Sequence, residues 1–426
     1  MKRILFFLLW ALPAWANHVV IISLDGFRPE FYLQDSYAKN CETITGLRAA
    51  GSYAKGAMPP YPSMTYPGHA TIATGVSPAR HGITANAKFD PPKGEGRGFW
   101  YARDVKSPAL WDAAHAAGLT VGSVSWPCNA ESKAIRWNIP EFWTTARGKE
   151  IDMMQRSASP GLWDAIGGLT AERLSADRDE FIAACATHIL REHKPNLMFI
   201  HLLETDKVQH KSGRDAPELP AALRRLDTHL RSFVEATKAA GIYEQTTFIV
   251  LGDHGFADIT QSIAPNWLLA ANGWLSDKDW RAMVMNTGGS AAVYVKDPKD
   301  VDEVRTLLAK HSEGLYRIID RDELTKLGGP REAAFYLEAL PGHMFSGSRA
   351  GKTLVRTPPT KGNHGFLPTN PQMQTGFIAA GRGIAKGVKL DTIRLADVAP
   401  TVARLLGVKL EAAEGRVLEE ILATGG

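Results

Sequence analysis

The sequence predicts an α/β protein with a doubly wound, mostly parallel central sheet and helices on both faces of that sheet. Continuous apolar runs of strand length occur at His18–Leu24, Leu197–Leu203 and Thr247–Leu251. Between these runs apolar residues recur at helical spacing, as in Asp179–Leu190. Strands that alternate with helices imply βαβ crossovers, and a strand that is apolar at every position is buried on both faces.

The remaining elements are predicted from the same two patterns: continuous apolar runs for strands, and apolar residues at helical spacing for helices. A helix is predicted where Leu223, Leu226 and Leu230 recur, and Gly241 ends it. Gly407 likewise ends a C-terminal helix, because glycine readily adopts the left-handed conformation that closes helices. The other predicted elements are the helix Trp111–Ala117, the strand Leu119–Trp126, the strand Phe377–Ala380 and the helix Leu395–Leu406.

The residue pattern changes over 265–342. This change predicts a small α/β insertion between the two parts of the main domain, 17–264 and 343–426. It falls between Asp253 and His364 in the chain, so we expect it to stand over the strand ends as a cap. Its predicted elements are the strand Ala291–Val295, the helix Val301–His311, the strand Leu315–Ile319 and a turn at Gly328-Gly329-Pro330.

The N-terminus has the pattern of a secretory signal peptide over residues 1–16. Lys2 and Arg3 precede the apolar stretch Ile4–Leu12, and Ala14-Trp15-Ala16 provides a small-x-small cleavage site before Asn17. The apolar stretch is far shorter than the roughly 20 residues that span a bilayer, and no later stretch is long enough. The sequence therefore predicts an exported protein, periplasmic or secreted, with no membrane span after signal removal.

Composition and charge exclude some classes of protein. With 426 residues, 44% of them hydrophobic, the chain can bury a large core. A formal net charge of +4 predicts no nucleic-acid-binding patch. Three cysteines, Cys41, Cys128 and Cys185, allow at most one disulfide, and a catalytic thiol is disfavoured.

Acidic and histidine side chains follow several of the predicted strands. Because the carboxyl ends of parallel strands lie along one sheet edge, residues far apart in sequence can converge there. Each residue alone could be a helix cap or an ordinary polar group at a strand end, but the set has the composition of a two-metal site. Its members are Asp25, Asp206 with His210 at i, i+4 spacing, the adjacent Asp253 and His254, and His364 within Gly362-Asn363-His364-Gly365.

Thr65 is a candidate nucleophile. Pro67 suits the first turn of a helix, which would place Thr65 and Tyr66 at its positive end, where an anion is stabilised. Asn86 follows 21 residues after Thr65 and carries an amide that can donate to a phosphoryl oxygen.

Short motifs occur along the chain in a characteristic order. They are Val20-Ile21-Ile22-Ser23-Leu24-Asp25-Gly26, Met64-Thr65-Tyr66-Pro67-Gly68-His69, Asn86 with Phe89-Asp90-Pro91, Ser125-Trp126-Pro127, Asp206 with His210, Gly252-Asp253-His254-Gly255, Gly362-Asn363-His364-Gly365 and Arg394-Leu395-Ala396-Asp397-Val398-Ala399-Pro400-Thr401. In this order they resemble the nucleotide pyrophosphatase/phosphodiesterase (type I phosphodiesterase) family of the alkaline phosphatase superfamily. The resemblance covers nearly the whole chain after the signal and implies an alkaline-phosphatase-like catalytic domain.

The resemblance also implies two zinc ions and a threonine nucleophile. A Thr hydroxyl is almost fully protonated at neutral pH, and a zinc ion lowers the pKa of an oxygen that it contacts. Thr65 would become phosphorylated, Asn86 with a nearby backbone amide would hold a phosphoryl oxygen, and Tyr66 resembles an aromatic platform for a base. The implied ligands are Asp206, His210 and His364 for one ion, and Asp25, Asp253, His254 and Thr65 for the other.

Three residues depart from the usual family pattern without removing a ligand: Gly68, Gln209 and Cys128. Gly68 and Cys128 leave the preference for nucleotides open, because both were expected close to the leaving group or the base.

The leading hypothesis is a secreted two-zinc hydrolase that cleaves phosphodiester or pyrophosphate bonds in a small-molecule substrate. A phosphomonoesterase or a phosphonate hydrolase of the same superfamily is the alternative, although no Lys-x-Arg pair for a monoester is evident. A sulfatase is disfavoured because no cysteine begins a Cys-x-Pro-x-Arg sequence. A non-catalytic exported metal-binding protein is the remote alternative, and the physiological substrate and oligomeric state stay open.

Overall fold

The computed structural model describes residues 18–91, 94–143, 149–166 and 177–423. The predicted signal segment 1–16 lies outside the described residues. Among them, no helix has both the length and the apolar character that crossing a bilayer requires.

Strands and helices alternate along much of the chain. The strands are β1 (His18–Leu24), β2 (Ser52–Met58), β3 (Ala87–Asp90), β4 (Gly94–Gly98), β5 (Val121–Val124), β6 (Trp137–Ile139), β7 (Leu197–Leu202), β8 (Thr246–Leu251), β9 (Ala257–Ile263), β10 (Ala282–Thr287), β11 (Ser290–Val295), β12 (Tyr316–Ile319), β13 (Phe335–Ala339), β14 (Gly342–Phe345), β15 (Val355–Arg356), β16 (Gly362–Asn363), β17 (Phe377–Gly381) and β18 (Lys389–Arg394). The α-helices are Glu30–Leu33, Asp35–Ala38, Glu42–Ala50, Thr65–Thr74, Pro78–His81, Leu110–Ala116, Lys149–Ser157, Leu162–Ala165, Arg178–His193, Glu204–Ser212, Leu219–Ala239, Pro265–Ala271, Val301–Lys310, Arg321–Lys326 and Val398–Leu406.

An eight-stranded sheet forms the centre of the protein, in the order β18-β2-β17-β8-β1-β7-β5-β6. Every neighbouring pair in this sheet is parallel except the two pairs that β17 makes, with β2 and with β8. The prediction of a mostly parallel central sheet is therefore confirmed.

Helices cover both faces of the central sheet, which explains why β1 is apolar at nearly every position. Val20 and Ile22 point to one face and Val19 and Ile21 to the other, and all four are fully buried. The helices Arg178–His193 and Leu219–Ala239 pack on the first face, and Thr65–Thr74, Leu110–Ala116 and Val398–Leu406 pack on the second.

Several predicted elements differ at their boundaries, among them one strand and the C-terminal helix. The strand predicted at Leu119–Trp126 is only Val121–Val124, because Ser125 adopts a positive φ of 57° and the chain turns there. The C-terminal helix begins with a 3-10 turn at Leu395–Asp397 and ends at Gly407, whose φ of 66° gives the left-handed cap that the sequence predicts.

The predicted insertion contains a separate four-stranded antiparallel sheet in the order β10-β11-β13-β12. β9 and β14, which flank the predicted limits at 265 and 342, pair with each other in parallel. The insertion contacts the loop of His364, since the Gly289 N–H donates to the His364 carbonyl over 2.8 Å. Its extent as a separate domain stays a prediction.

Glu338 on β13 joins the insertion to two loops of the main domain. Its Oε1 accepts a hydrogen bond from the backbone N–H of Leu367 (2.8 Å), and its Oε2 forms a hydrogen bond with the Tyr61 hydroxyl (3.3 Å). Leu367 follows His364, and Tyr61 precedes Thr65. Burial raises the pKa of the Glu338 carboxyl from 4.5 to about 8, so this side chain is protonated in the folded protein at neutral pH.

We expect Glu338→Gln to stabilise the protein at pH 8 and to change it much less at pH 5. Between pH 4.5 and 8 the unfolded chain loses the Glu338 proton while the folded chain keeps it, so stability falls as pH rises, by about 1.4 kcal/mol per unit and about 5 kcal/mol in all. Glutamine resembles the protonated acid and removes this loss. The prediction is tested by the melting temperatures of the wild type and of Glu338→Gln at pH 5 and pH 8. The same pH dependence of stability in both proteins would contradict the raised pKa of Glu338.

Candidate active site

The carboxyl ends of β1, β7 and β8 lie side by side at one edge of the central sheet. β1 pairs in parallel with both other strands, with Leu24 opposite Leu202 and Ser23 opposite Leu251. Side chains that follow these strands therefore lie at the same edge. Asp25 follows β1, Asp206 and His210 lie on the helix Glu204–Ser212 after β7, and Asp253 and His254 follow β8.

Asp206, His210 and His364 form the first group of predicted ligands. The helix after β7 places Asp206 and His210 one turn apart, as their spacing predicts. Asp206 Oδ1 lies 3.3 Å from His210 Nε2 and 3.7 Å from His364 Nε2. Asp206 Oδ1 thus lies within 4 Å of both imidazoles, whereas the group around Asp206 whose ligand atoms all lie within 4.8 Å of one another is Asp206, His254 and His364.

Asp25, Asp253, His254 and Thr65 form the second group. His254 Nε2 lies 3.3 Å from both Asp25 Oδ1 and Asp253 Oδ2, and 3.4 Å from Thr65 Oγ1. The rings of His254 and His364 stack with their centroids 3.6 Å apart, so the two groups adjoin each other. The structure thus brings together all seven residues of the predicted metal set.

The carboxylates of both groups leave oxygen atoms that suit a cation. Asp25 Oδ1, Asp206 Oδ1 and Asp253 Oδ2 are each buried and without a hydrogen-bond donor. Buried carboxylate oxygens are costly when unsatisfied, and a divalent ion satisfies them. The donor atoms of Asp25, Asp253 and His254 all lie within 4.8 Å of one another, and so do those of Asp206, His254 and His364.

The predicted imidazole ligands are held in the tautomer that a metal requires. In each ring Nδ1 donates to a backbone carbonyl, so Nε2 keeps a lone pair that can bind an ion. The acceptors are Gly362 O for His210 (2.9 Å), Gly255 O for His254 (3.1 Å) and Ser63 O for His364 (3.1 Å). The residues present therefore fit transition-metal ions such as zinc.

The electrostatics of the second group also favour a bound cation. Burial, with repulsion from Asp253 and Asp206, raises the pKa of Asp25 well above its usual range. Burial raises the pKa of Asp253 to about 6 and lowers the pKa of His254 to about 4. A divalent cation stabilises the ionised carboxylates, and the neutral imidazole is the form that binds it.

A third group of ligand-type residues, His69, His201 and Asp253, also lies within 4.8 Å, but its hydrogen bonds exclude it as a metal site. His201 Nδ1 lies 3.0 Å from Glu141 Oε2, and His201 Nε2 lies 3.2 Å from Asp25 Oδ2. Burial opposes charge on this ring, but the two carboxylates outweigh burial and raise the pKa of His201 well above 6.5. Both ring nitrogens are engaged in these hydrogen bonds, so neither has a free lone pair for an ion.

Thr65 is the first residue of the helix Thr65–Thr74, with Pro67 in the first turn as predicted. The helix dipole places partial positive charge at this end, where a phosphate group is stabilised. Thr65 is almost buried, and His69 Nδ1 donates to its carbonyl oxygen over 2.7 Å. The hydroxyl is therefore held in a fixed place beside His254.

Asn86 is oriented by the backbone next to Thr65. The N–H of Tyr66 donates to Asn86 Oδ1 over 3.0 Å, which leaves Asn86 Nδ2 for an oxygen of a substrate. The backbone amide of Tyr66 is thereby engaged with Asn86, and the role of a backbone amide near Thr65 in holding a phosphoryl oxygen stays a prediction.

Tyr66 lines the cavity but is only 3% exposed. Its hydroxyl donates to Glu141 Oε1 over 3.0 Å, and its ring packs in a small cluster with Phe99 and Cys128. This is the environment of a packed aromatic at a helix start, and the role of Tyr66 as a platform for a base stays a prediction.

A cavity of about 710 Å³ opens at the predicted metal ligands. Its wall includes Arg97, Trp100 and Trp143, and Arg97 donates to both carboxylate oxygens of Asp104. No residue of the wall comes from 265–342, so within the described part of the chain the insertion does not cap this cavity. The remaining wall residues are Asp25, Thr65, Tyr66, Asn86, Ala87, Gly96, Gly98, Asp206, His210 and His364.

The departures from the family pattern have structural explanations. A Cβ atom at Gly68 would lie 2.9 Å from the Asp253 carbonyl oxygen, so glycine lets the Thr65 helix approach the end of β8. Gln209 Nε2 donates to Gly26 O over 3.0 Å and so supports the turn that carries Asp25. Cys128 is a buried thiol with a positive φ of 61°, and none of the three cysteines forms a disulfide.

Sequence reasoning missed His201, Glu141, Arg97, Trp100 and Trp143. A histidine inside the apolar run of β7 was a usable signal, because a buried imidazole in a central strand needs polar partners. Glu141, between Pro140 and Phe142, gave a similar but weaker signal. The other three belong to no recognisable pattern in the sequence, and only the fold places them at the cavity.

Solved structures confirm the fold. Murine ectonucleotide pyrophosphatase/phosphodiesterase 5 matches with a TM-score of 0.71 at 19% identity, covering 95% of this chain and 100% of the murine chain. The human protein of the same name matches with a TM-score of 0.72 at 18% identity, covering 96% and 100%. The predicted alkaline-phosphatase-like fold is therefore correct.

Curated relatives match over part of their sequences. An uncharacterised pyrophosphatase/phosphodiesterase of Schizosaccharomyces pombe is 30% identical over 240 residues, which are 56% of this chain and 44% of that protein. Human ectonucleotide pyrophosphatase/phosphodiesterase family member 1 is 26% identical over 245 residues, 55% of this chain and 23% of the human protein. The matched segments thus span less than half the length of these relatives.

The family profile described as type I phosphodiesterase / nucleotide pyrophosphatase matches residues 19–367, which include every predicted ligand. The chain belongs to the type I phosphodiesterase / nucleotide pyrophosphatase family of hydrolases, within the alkaline phosphatase superfamily.

Proposed function

We propose that this chain is an exported two-zinc hydrolase that cleaves phosphodiester or pyrophosphate bonds through a covalent phospho-Thr65 intermediate. The observation that carries the proposal is the position of Thr65 Oγ1. It lies 3.4 Å from His254 Nε2, and that nitrogen lies 3.3 Å from the unpartnered Oδ1 of Asp25 and Oδ2 of Asp253. A hydroxyl among metal-type ligands at a helix start is suited to nucleophilic attack on phosphorus.

Each of the two groups of ligands would hold one metal ion. When bound, two zinc ions would supply positive charge to the phosphoryl oxygens and lower the pKa of a hydroxyl that they contact. Asp206, His210 and His364 would hold one ion, and Asp25, Asp253, His254 and Thr65 the other.

Thr65 and Asn86 carry the proposed reaction. Thr65 Oγ1 gives up its proton and forms a bond to phosphorus, while the bond from phosphorus to the leaving oxygen breaks on the opposite side. Asn86 Nδ2 donates to a non-bridging oxygen as charge builds on it. A water molecule then attacks the same phosphorus, which frees Thr65 and releases a phosphomonoester.

A nucleotide is the favoured substrate class. The solved neighbours include an inactive threonine-to-alanine variant of murine ectonucleotide pyrophosphatase/phosphodiesterase 5 in complex with AMP. In this chain Trp143 lines the cavity with 55% of its surface exposed, and Arg178 stacks on its ring at 4.8 Å from the centroid. An exposed indole beside a phosphate site offers a stacking surface for a base.

A diester fits the cavity better than a monoester. A monoester carries an additional negative charge that needs a free cation. Of the described wall residues, Arg97 is the only Lys or Arg, and it is engaged with both oxygens of Asp104, which Lys88 also contacts over 2.6 Å.

The test of the proposed function compares kcat/KM for bis-p-nitrophenyl phosphate, a thymidine 5′-p-nitrophenyl ester and p-nitrophenyl phosphate. We expect the two diesters to be preferred over the monoester and the thymidine ester to be best. Preference for p-nitrophenyl phosphate would instead assign the chain to the monoesterases. Export is checked separately, since a protein recovered outside the cytoplasm should begin at Asn17.

Trp143→Ala should raise KM for the thymidine ester roughly tenfold and change kcat little. Stacking of a base on an aromatic side chain contributes about 1–3 kcal/mol, and truncation removes it. Bis-p-nitrophenyl phosphate, which has no base, serves as the matched substrate. An equal loss with both substrates would contradict a base-stacking role.

A further inference from the structure

A buried chain of hydrogen bonds leads away from Asp25. His201 Nε2 lies 3.2 Å from Asp25 Oδ2, and His201 Nδ1 lies 3.0 Å from Glu141 Oε2 and 3.1 Å from the Ser125 carbonyl oxygen. The other oxygen of Glu141 accepts from the Tyr66 hydroxyl over 3.0 Å. The side chains of Asp25, His201 and Glu141 thus form one connected network.

The network fixes the His201 ring from both ends. His201 and Glu141 are almost completely inaccessible to solvent, at 0% and 1% exposed. Both ring nitrogens of His201 are within hydrogen-bond distance of carboxylate or carbonyl oxygens, and the His69 ring packs against the His201 ring with its centroid 4.1 Å away. Since water has no access, these protein contacts set the orientation of the ring.

The two oxygens of Asp25 have different surroundings. Among the hydrogen bonds between described residues, His201 is the only donor to this carboxylate, and it contacts Oδ2. Oδ1 has no donor and lies 3.3 Å from His254 Nε2, on the side of the predicted metal group. The contact with His201 therefore leaves Oδ1 directed at that group.

Asp253 is held in a different way. Its Oδ1 accepts from the backbone N–H groups of Gly26 and His254, both at 3.0 Å, and its Oδ2 is left for the metal group. Backbone donors are fixed by the fold itself. Asp25 has a side-chain donor in their place, so its orientation depends on His201 and on whatever holds His201.

We propose that His201 and Glu141 are positioning residues that fix Asp25 for metal binding. The proposal rests on the proposed function, since it concerns the metal group that contains Thr65. Neither residue contacts the substrate or an ion: Glu141 anchors His201 Nδ1, and His201 Nε2 orients Asp25. Loss of such an outer contact commonly weakens metal affinity by about 10–100-fold.

The test compares two substitutions of His201 that preserve different halves of the ring. The amide nitrogen of glutamine reaches approximately the position of Nε2, and that of asparagine approximately the position of Nδ1. His201→Gln can still donate to Asp25, whereas His201→Asn can donate only toward Glu141 or Ser125. His18 provides the matched control, because it is a buried histidine at the opposite end of β1 whose Nδ1 donates to Pro195 O over 2.9 Å.

The readout is the equilibrium binding of zinc in competition with a chromophoric chelator. In His201→Asn we expect one of the two zinc sites to weaken about 10–100-fold and the other to stay as in the wild type. His201→Gln keeps the donor to Asp25 but loses the contact with Glu141, so it should weaken that site less than His201→Asn does, and His18→Asn should leave it unchanged. Equal zinc binding in His201→Asn and His18→Asn, or equal losses in His201→Asn and His201→Gln, would overturn the proposal.

A second variant tests the proposal even if the His201 variants do not fold. Glu141→Asp keeps the buried charge but withdraws the carboxylate from His201 Nδ1, so we expect a folded protein in which the same zinc site is several-fold weaker. Wild-type zinc affinity in folded Glu141→Asp would also overturn the proposal. A wild-type protein that binds no zinc would overturn the proposed function and this inference together, whereas unchanged variants would overturn the inference alone.

Discussion

Replacing Thr65 with alanine is expected to lower kcat for a phosphodiester by about 10³-fold or more, with zinc content and melting temperature close to those of the wild type. The reason is that Thr65 Oγ1 is the proposed nucleophile, and removal of a nucleophile costs more than removal of a binding contact. The side chain is small and lies at the start of its helix. Its loss should therefore affect the chemistry far more than the fold.

Two further variants make this prediction specific. Thr65→Ser restores a hydroxyl and should recover a large part of the activity. Thr74→Ala removes a buried hydroxyl from the same helix that donates to the Ala70 carbonyl over 2.7 Å and accepts from the Val76 N–H over 3.4 Å, and it should leave kcat nearly unchanged. Substantial hydrolysis by folded Thr65→Ala would refute the nucleophile.

Removal of metal is the second change with a large expected effect. A chelator should abolish turnover, and zinc should restore it at about two equivalents per chain. Without a cation, Asp25 Oδ1, Asp206 Oδ1 and Asp253 Oδ2 remain buried and without partners. We therefore expect the metal-free protein also to be less stable, as measured by its melting temperature.

The loss of stability should depend on pH. Burial raises the pKa of Asp253 from 3.8 to about 6, so its contribution to the stability of the metal-free protein is full below pH 3.8 and is lost as pH rises through 6. The stabilisation by zinc should accordingly be larger at pH 7 than at pH 5. Equal stabilisation at both pH values, or full activity after metal removal, would contradict the two-metal assignment.

Local sequence patterns predicted the strands that carry the site. β1, β7 and β8 are apolar because both of their faces are buried, and parallel pairing then brings Asp25 and Asp253 together without further information. The i, i+4 pair Asp206 and His210 needed only the helix after β7. These features depend on short-range periodicity and on the general geometry of parallel sheets.

Contacts between distant segments were less predictable. Gly252 and Gly255 flank Asp253 and His254, and a Cβ would lie 2.0 Å from Thr375 Oγ1 at Gly252 and 2.0 Å from Gln372 O at Gly255. They are needed for packing between chain segments. The bond between Tyr66 N–H and Asn86 likewise depends on tertiary packing that spacing in the sequence does not reveal.

The position of the insertion was likewise not predictable from local sequence patterns. Its strand β11 and its helix Val301–Lys310 followed from periodicity, but its position did not. Expected as a cap, it instead contacts the loops of Thr65 and His364 through Glu338 and Gly289. Buried polar contacts of this kind involve single residues and leave no periodic signal.

The stereochemical course at phosphorus tests the central claim most directly. A nucleotide phosphorothioate diester of one configuration, hydrolysed in ¹⁸O-labelled water, yields a chiral product whose configuration can be determined. Each in-line displacement inverts the phosphorus, so attack by Thr65 followed by attack of water predicts overall retention. Overall inversion would mean that water attacks the substrate directly, and it would contradict a covalent intermediate on Thr65.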